Sequence, residues 1–252
     1  MSSPLIGIIP AAGSGVRARP YTYEQHKGMF LIDGKPNLAR IMDAMQHELG
    51  ITEVVVVLGY MGDSIREHFG DGSSRGLRIN YVENQNLDKG WAWSVLLAKP
   101  FLANRRGCVM LADEFYLDAN FSELKKLALE ESSVVCMVKE TDNEELIKRN
   151  FSIEVSGNRV VRLVEKPRSV PNNLLGMATF IVSPEVFTLL GQAYEGGRQS
   201  LEFVNFVDEL IRDGHAVRAF HLSGDYINLN DVASLEAAQD IAIRRRLLQS
   251  DA

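Results

Sequence analysis

Residues 5–28 read LIGIIPAAGSGVRARPYTYEQHKG. An apolar run ends at Pro10, and after Ala11 and Ala12 come two glycines flanking Ser14. A strand followed at once by a glycine loop is the opening of an open α/β sheet, which binds ligands at the carboxyl ends of its strands. Gly13, Ser14 and Gly15 can form a tight loop with backbone N–H groups pointing inward, and such a loop suits a phosphate. Three readings of the loop compete. Gly13-x-Gly15-x-x-Ala18 satisfies the dinucleotide fingerprint, but that motif opens a long helix, and Pro20 biases Arg19 away from helical backbone. The acidic residue due about 20 positions on would be Asp33, which lies in a Leu-Ile-Asp-Gly-Lys-Pro turn and not at the end of a second strand. A Walker-type loop needs Gly-Lys-Ser/Thr, and neither Gly28 nor Gly34 stands in that setting. The third reading uses the cations. Arg17 follows the glycines and Lys27 lies ten residues later, so two positive side chains flank a backbone anion nest, an arrangement that matches the triphosphate of a nucleotide.

Outward from the loop, short runs rich in β-branched residues alternate with amphipathic stretches, as in a parallel sheet with crossover helices. Strands are predicted at Leu5–Pro10, Glu53–Leu58, Arg78–Val82 and Cys108–Ala112, with helices at Asn37–Leu49, Asp63–Phe69 and Trp91–Leu102. Asp113 ends the fourth strand. Further on, FSIEVSGNRVVRLVEKP reads as two strands around a Ser-Gly-Asn turn and MATFIV as another strand before Pro184 opens a helix. Leu201–Asp213 reads as a helix stopped by Gly214, Val217–His221 as a strand, and Asp231 as the cap of a helix at about 231–248. No repeat, linker or low-complexity segment interrupts this order, so one mixed α/β domain over 1–252 is expected.

The 252 residues carry 27 Lys+Arg against 33 Asp+Glu, a net charge of −6. A mild acidic excess argues against a general nucleic-acid binder, and no run approaches the roughly 18 apolar residues of a membrane span. Cys108 and Cys136 lie in apolar runs and read as reduced core thiols of a cytoplasmic protein. The histidines show no zinc-site spacing. Trp91 and Trp93 read as packing residues. Arg244-Arg245-Arg246 reads as a solvated face, or as a contact in a homo-oligomer.

The ordered motifs resemble those of the nucleotidyltransferase family that includes glucose-1-phosphate thymidylyltransferases and other sugar-1-phosphate nucleotidyltransferases. Its G-x-G-[TS]-R-x-x-P-x-T, Pro-Lys and G-K-P segments are matched in register by Gly13, Gly15, Arg17, Pro20, Thr22, Lys27 and Gly34-Lys35-Pro36. His26 stands where proline or serine is usual, and Val16 where threonine is frequent. Gln85 and Gly90 keep the spacing of the segment that contacts base and ribose, and Asp113 resembles the metal-binding aspartate. Glu165-Lys166-Pro167 reproduces E-K-P, and Asn173 precedes Ala178, which replaces the glycine of G-[IL]-Y. Tyr226–Leu235 resembles W-x-D-x-G-T-x-x-S-L, with Asn228 in place of the second metal-binding aspartate. Some branches, such as the uridylyltransferases acting on N-acetylglucosamine-1-phosphate, also use Asn there.

The resemblance implies a Rossmann-like (GT-A-like) domain with a mixed, mainly parallel sheet and no C-terminal β-helix. Its nucleotide-binding half would span about 1–115 and its acceptor-binding half about 116–235. It implies transfer of a nucleotidyl group from a nucleoside triphosphate to a sugar-1-phosphate, with release of pyrophosphate. Arg17 and Lys27 would be catalytic, Ala11, Ala12, Gly13, Ser14, Gly15, Gln85 and Gly90 would bind nucleotide, and Glu165, Lys166 and Asn173 would bind the acceptor. Asp113 and Asn228 would hold Mg²⁺. Two alternatives stay open: a cytidylyltransferase for phosphocholine or a related small phosphate, and a non-catalytic nucleotide-sensing relative. Gln85 and Asn228 each also read as ordinary loop or turn residues.

Overall fold

The computed structural model describes residues 5–127 and 129–250; of the domain expected over 1–252, residues 1–4, 128, 251 and 252 lie outside the described residues. Strand β1 (Ile6–Ala11) is followed by the glycine loop and three short 3₁₀ turns, then by the hairpin of β2 (Leu31–Ile32) and β3 (Lys35–Pro36). Asp33 and Gly34 at its tip have φ of 47° and 75°. Helix α1 (Asn37–Asp43) runs on through a wider π turn, Ala44–Glu48. Then come β4 (Glu53–Leu58), α2 (Gly62–Phe69), β5 (Arg78–Glu83), α3 (Trp91–Leu97) and β6 (Gly107–Val109). Every residue of β4 is buried, which is why EVVVVL shows no polar alternation: helices cover both faces of this part of the sheet.

The second half contains β7 (Glu114–Leu117), β8 (Val134–Glu140), α4 (Glu144–Arg149), β9 (Phe151–Ser156), β10 (Arg159–Glu165) and β11 (Leu174–Val182). It closes with α5 (Pro184–Glu195), α6 (Phe203–Arg212), β12 (Val217–His221), β13 (Asp225–Asn228) and α7 (Val232–Ser250). One nine-stranded sheet has the order β5-β4-β1-β6-β11-β8-β12-β10-β9. The pairs β5–β4, β4–β1 and β1–β6 are parallel, as is β8–β12, whereas β11 runs antiparallel to β6, β8 and β9. Parallel pairing thus governs the first four strands and antiparallel pairing most of the rest. Apart from this sheet, β7 and β13 form a two-stranded ribbon in which Glu114 faces Asn228.

Alternate residues of β1 feed two cores. Ile9 joins Leu38, Met42 and Ile65 beneath α1 and α2, while Ile6 and Ile8 join Val95, Phe187 and Phe203 beneath α3, α5 and α6. A smaller cluster of Ile32, Phe115, Leu229, Ala238 and Ala242 ties α7 to the ribbon. The helix expected at Trp91–Leu102 breaks after Leu97 into a 3₁₀ turn around Pro100, which can donate no backbone hydrogen bond. The strand expected at Cys108–Ala112 is assigned only over Gly107–Val109, yet Met110 and Ala112 still donate to the carbonyls of Ile8 and Pro10, at 3.0 and 3.3 Å. Cys108 and Cys136 are free and buried, and burial pushes both thiols up from their ordinary range. Among the described residues no helix is long and apolar enough to cross a membrane. Two of the three consecutive arginines make pairs within the chain, Arg245 with Asp118 at 2.7 Å and Arg246 with Asp33 at 3.2 Å.

Candidate active site

A cleft of about 400 Å³ opens at the carboxyl ends of β1 and β6, walled by Ala11–Gly15, Lys27, Gly90, Trp91 and Asp113. Gly15 adopts φ of 61°, and a Cβ there would stand 2.8 Å from both Lys27 Cγ and Thr22 Cγ2, so glycine is required. The buried Thr22 hydroxyl donates to the Gly15 carbonyl at 2.9 Å, and the Tyr60 hydroxyl donates to the Thr22 carbonyl at 2.9 Å. Among the described residues, the backbone N–H groups of Gly13, Ser14 and Gly15 have no acceptor within the chain, as an anion nest requires.

Lys27 Nζ and Asp113 Oδ2 form an ion pair on the cleft wall. Burial alone would raise the Asp113 carboxyl, but the Lys27 ammonium outweighs it and holds the group below its ordinary range. The buried amide of Asn37, the first residue of α1, donates at 3.0 Å to the carbonyls of Ala112 and of Glu114, bracketing Asp113 from both sides. His26, one of the departures from the motif pattern, is buried, and its Nδ1 accepts from the Gly28 N–H at 3.0 Å, capping the turn that carries Lys27. Burial drives the imidazole down to about 4, so the ring is a neutral cap at pH 7.

Glu114 is a feature that sequence reading missed. It is fully buried; Oε1 accepts from the Tyr226 hydroxyl at 2.8 Å and the Ala178 N–H at 2.9 Å, while Oε2 accepts from the Tyr116 hydroxyl at 2.7 Å and the Thr179 hydroxyl at 3.1 Å. Burial pushes its carboxyl up to about 6 despite the two tyrosine hydroxyls, which favour the anion. These bonds tie the ribbon to β11.

Asn228, opposite Glu114 on the ribbon, comes beside Asp113 because the N–H of Leu229 donates to the Asp113 carbonyl at 2.7 Å. Its Nδ2 donates to Asn150 Oδ1 at 3.2 Å, and its Oδ1 is buried with no partner among the described residues. Among the described residues no three His, Cys, Asp or Glu side chains gather as a metal cage. One carboxylate and one unclaimed amide oxygen nonetheless fit Mg²⁺, which is commonly held by one or two protein oxygens with substrate phosphates and water completing the shell.

The other expected site residues are placed less centrally. Arg17 is exposed on the loop and donates to Asn230 Oδ1 at 2.7 Å. Gln85 is exposed and does not line the cleft; its neighbour Asn84 does, buried and donating to Ser94 Oγ at 2.9 Å. Gly90, with φ of 81°, comes so close to the Leu201 carbonyl that a Cβ would lie 2.4 Å from it. Lys166 pairs with Glu165 at 3.3 Å from a strained backbone with φ of 44°, and its N–H donates to the Asn150 carbonyl at 2.7 Å. Burial raises the Glu165 carboxyl, with Lys166 opposing. Asn173 is exposed, its carbonyl accepting from the Thr141 N–H at 2.9 Å. None of these three walls the cleft beneath the loop.

Residues 6–241 match the nucleotidyl transferase family. The chain belongs to that family. Among its nucleotidyl transferase relatives, the UTP–glucose-1-phosphate uridylyltransferase AglF of Haloferax volcanii is 29% identical over 86% of this chain and 88% of its own length. A glucose-1-phosphate thymidylyltransferase of Streptomyces griseus is 26% identical over 90% of this chain and 63% of its own. The fold matches the solved structure of a Bacillus anthracis protein assigned as a glucose-1-phosphate thymidylyltransferase, with a TM-score of 0.86 at 19% identity over 94% of this chain and 95% of that one. Lys27 and Asp113 therefore meet in the cleft of a nucleotidyl transferase domain.

Proposed function

We propose that this nucleotidyltransferase joins a nucleoside triphosphate to a sugar-1-phosphate, giving a nucleoside diphosphate sugar and pyrophosphate by in-line attack on the α-phosphorus. The observation that carries the reading is the seating of Lys27 and Asp113 under the glycine loop, in one cleft of a chain whose relatives are named for this reaction. Residues up to about 115 serve the nucleotide and residues from about 116 to 235 the acceptor.

The attacking phosphate is already largely dianionic at neutral pH, its second pKa being about 6, so the reaction needs no general base. What it needs is positioning of two anions and charge to offset their repulsion. The N–H groups of Gly13, Ser14 and Gly15 cradle the triphosphate. Arg17 swings its planar fork from Asn230 to the departing pyrophosphate, and Lys27 exchanges Asp113 for phosphate oxygens at the reacting centre. Lys166 holds the acceptor phosphate in line, Glu165 accepts from acceptor hydroxyls, and Asn173 completes that side. Asp113 and Asn228 would hold Mg²⁺, which when bound supplies charge neutralisation at the α-phosphate.

Pyrophosphate release from the purified protein, screened with each nucleoside triphosphate against sugar-1-phosphates and phosphocholine, tests the reading. Release with UTP or dTTP and glucose-1-phosphate is expected. Release with CTP and phosphocholine alone would replace the sugar acceptor, and no release with any pair would favour a non-catalytic relative.

A further inference from the structure

One residue outside the expected site touches both Asn228 and Lys166. Asn150 ends α4, where its Nδ2 donates to the Leu146 carbonyl at 2.8 Å. Its own carbonyl accepts from the N–H of Lys166 at 2.7 Å, the residue held at φ of 44°. Its Oδ1 accepts from Asn228 Nδ2 at 3.2 Å. An amide's oxygen and nitrogen are told apart by their partners, and here the partners decide. Only an N–H can face the Leu146 carbonyl, so Asn150 must present its oxygen to Asn228. Asn228 must then answer with its nitrogen. The Tyr226 hydroxyl, two residues before Asn228 on β13, has its proton committed to Glu114 Oε1 at 2.8 Å and has none to give the Asn228 oxygen. Asn150 therefore draws the Asn228 nitrogen, and the Asn228 Oδ1 is left buried and unpartnered among the described residues.

We infer that Asn150 is a positioning residue that fixes which end of the Asn228 amide faces the metal, while its carbonyl sets the backbone of Lys166 on the acceptor side. The inference rests on the metal reading given above. It also supplies a reason for Asn at 228 in this chain. A carboxylate there would set oxygen against oxygen at 3.2 Å, and Asn150 could turn to meet it only by setting its own oxygen against the Leu146 carbonyl. Asn150 and Asn228 thus form a matched pair in which one amide dictates the other.

Mn²⁺ binding to the full chain, followed by electron paramagnetic resonance without substrate, provides the test. Asn150→Ala is expected to weaken Mn²⁺ roughly 10-fold or more, as loss of a residue orienting a metal ligand does. Asn228→Asp is expected to tighten Mn²⁺ less when Asn150 is present than in the Asn150→Ala background, because only there is the carboxylate free of an opposing oxygen. A purely structural role for Asn150 would make the two changes additive. Wild-type affinity in Asn150→Ala, or additivity, overturns the inference. Binding unmoved by Asp113→Asn instead overturns the metal reading beneath it. Asn150→Ser, whose hydroxyl is too short to reach Asn228, carries the same arms if the alanine variant does not fold.

Discussion

Lys27 and Asp113, separated by 86 positions in the chain, pair directly on the cleft wall with side-chain exposures of 13% and 18%. Each neutralises the other, and in the proposed reaction each then serves a different partner. Asp113→Asn is expected to lower the rate of pyrophosphate release about 100-fold or more, the scale on which single electrostatic groups act on a transition state. Lys27→Ala leaves the carboxylate without its cation and is expected to cost about 1 to 3 kcal/mol of stability, less than a fully buried pair because water reaches both groups. Denaturant titration of the two variants beside the rate assay separates the roles. An Asp113→Asn protein as active as the wild type would contradict the first expectation, and a Lys27→Ala protein as stable as the wild type the second.

Glu114 gives stability a definite pH dependence. Its folded carboxyl sits at about 6 against an ordinary 4.5, so the native state holds the proton more tightly. The stability this confers is fully present below about 4.5 and is lost as pH rises through about 6, a change of about 2 kcal/mol. Glu114→Gln cannot titrate. Denaturant unfolding of both proteins at pH 4.5 and 7.5 is expected to show the wild type losing that amount relative to the variant as pH rises.

His26 acts in the opposite sense. Its folded imidazole lies at about 4 rather than 6.5, so protons enter the unfolded state first. The stability is fully present above about 6.5 and is lost as pH falls towards 4, by about 3 kcal/mol. Asn at this position keeps an acceptor for the Gly28 N–H and does not titrate. A wild type that failed to lose stability relative to His26→Asn between pH 7 and 4.5 would show that the ring is not held neutral by burial.

Adjacent residues in the proposed base-binding segment, Asn84 and Gln85, separate recognition from architecture. Gln85→Ala removes an exposed side chain and is expected to raise the KM for nucleotide with no change in thermal stability if Gln85 reads the base. Asn84→Ala strips a buried partner from Ser94 and breaks the bond from the Asn86 N–H to Asn84 Oδ1 at 2.8 Å, costing about 1 kcal/mol. Parallel melting curves and nucleotide titrations read both effects.

The parts of the site readable in the sequence are those written as contiguous motifs. The glycine loop and Asp113 each follow an apolar strand, Lys27 stands ten residues after Arg17 on the same loop segment, and the structure gathers the glycine loop, Lys27 and Asp113 in one cleft. The Glu114 cluster could not be read this way. Glu114, Tyr116, Thr179 and Tyr226 come from three strands, and each taken alone looks like a polar position on a half-buried strand. Asn37 looked like an ordinary helix start because its two acceptors, 75 and 77 positions away, exist only after the sheet has formed. Helix α4 and strand β13, of 6 and 4 residues, are too short for periodicity to show. The shortened β6 reflects a ladder that ends while its hydrogen bonds to β1 continue.

The ribbon of β7 and β13 shares no ladder with the nine-stranded sheet. Asp113 enters one end of it and Asn228 leaves the same end, so the two proposed metal donors ride on a mount joined to β11 through side chains such as Glu114. A lineage could therefore retune its ion preference, exchanging amide for carboxylate and adjusting Asn150 to suit, without altering a single strand pairing of the large sheet. The strand pairings of the large sheet and the two proposed metal donors thus lie on separate parts of this architecture.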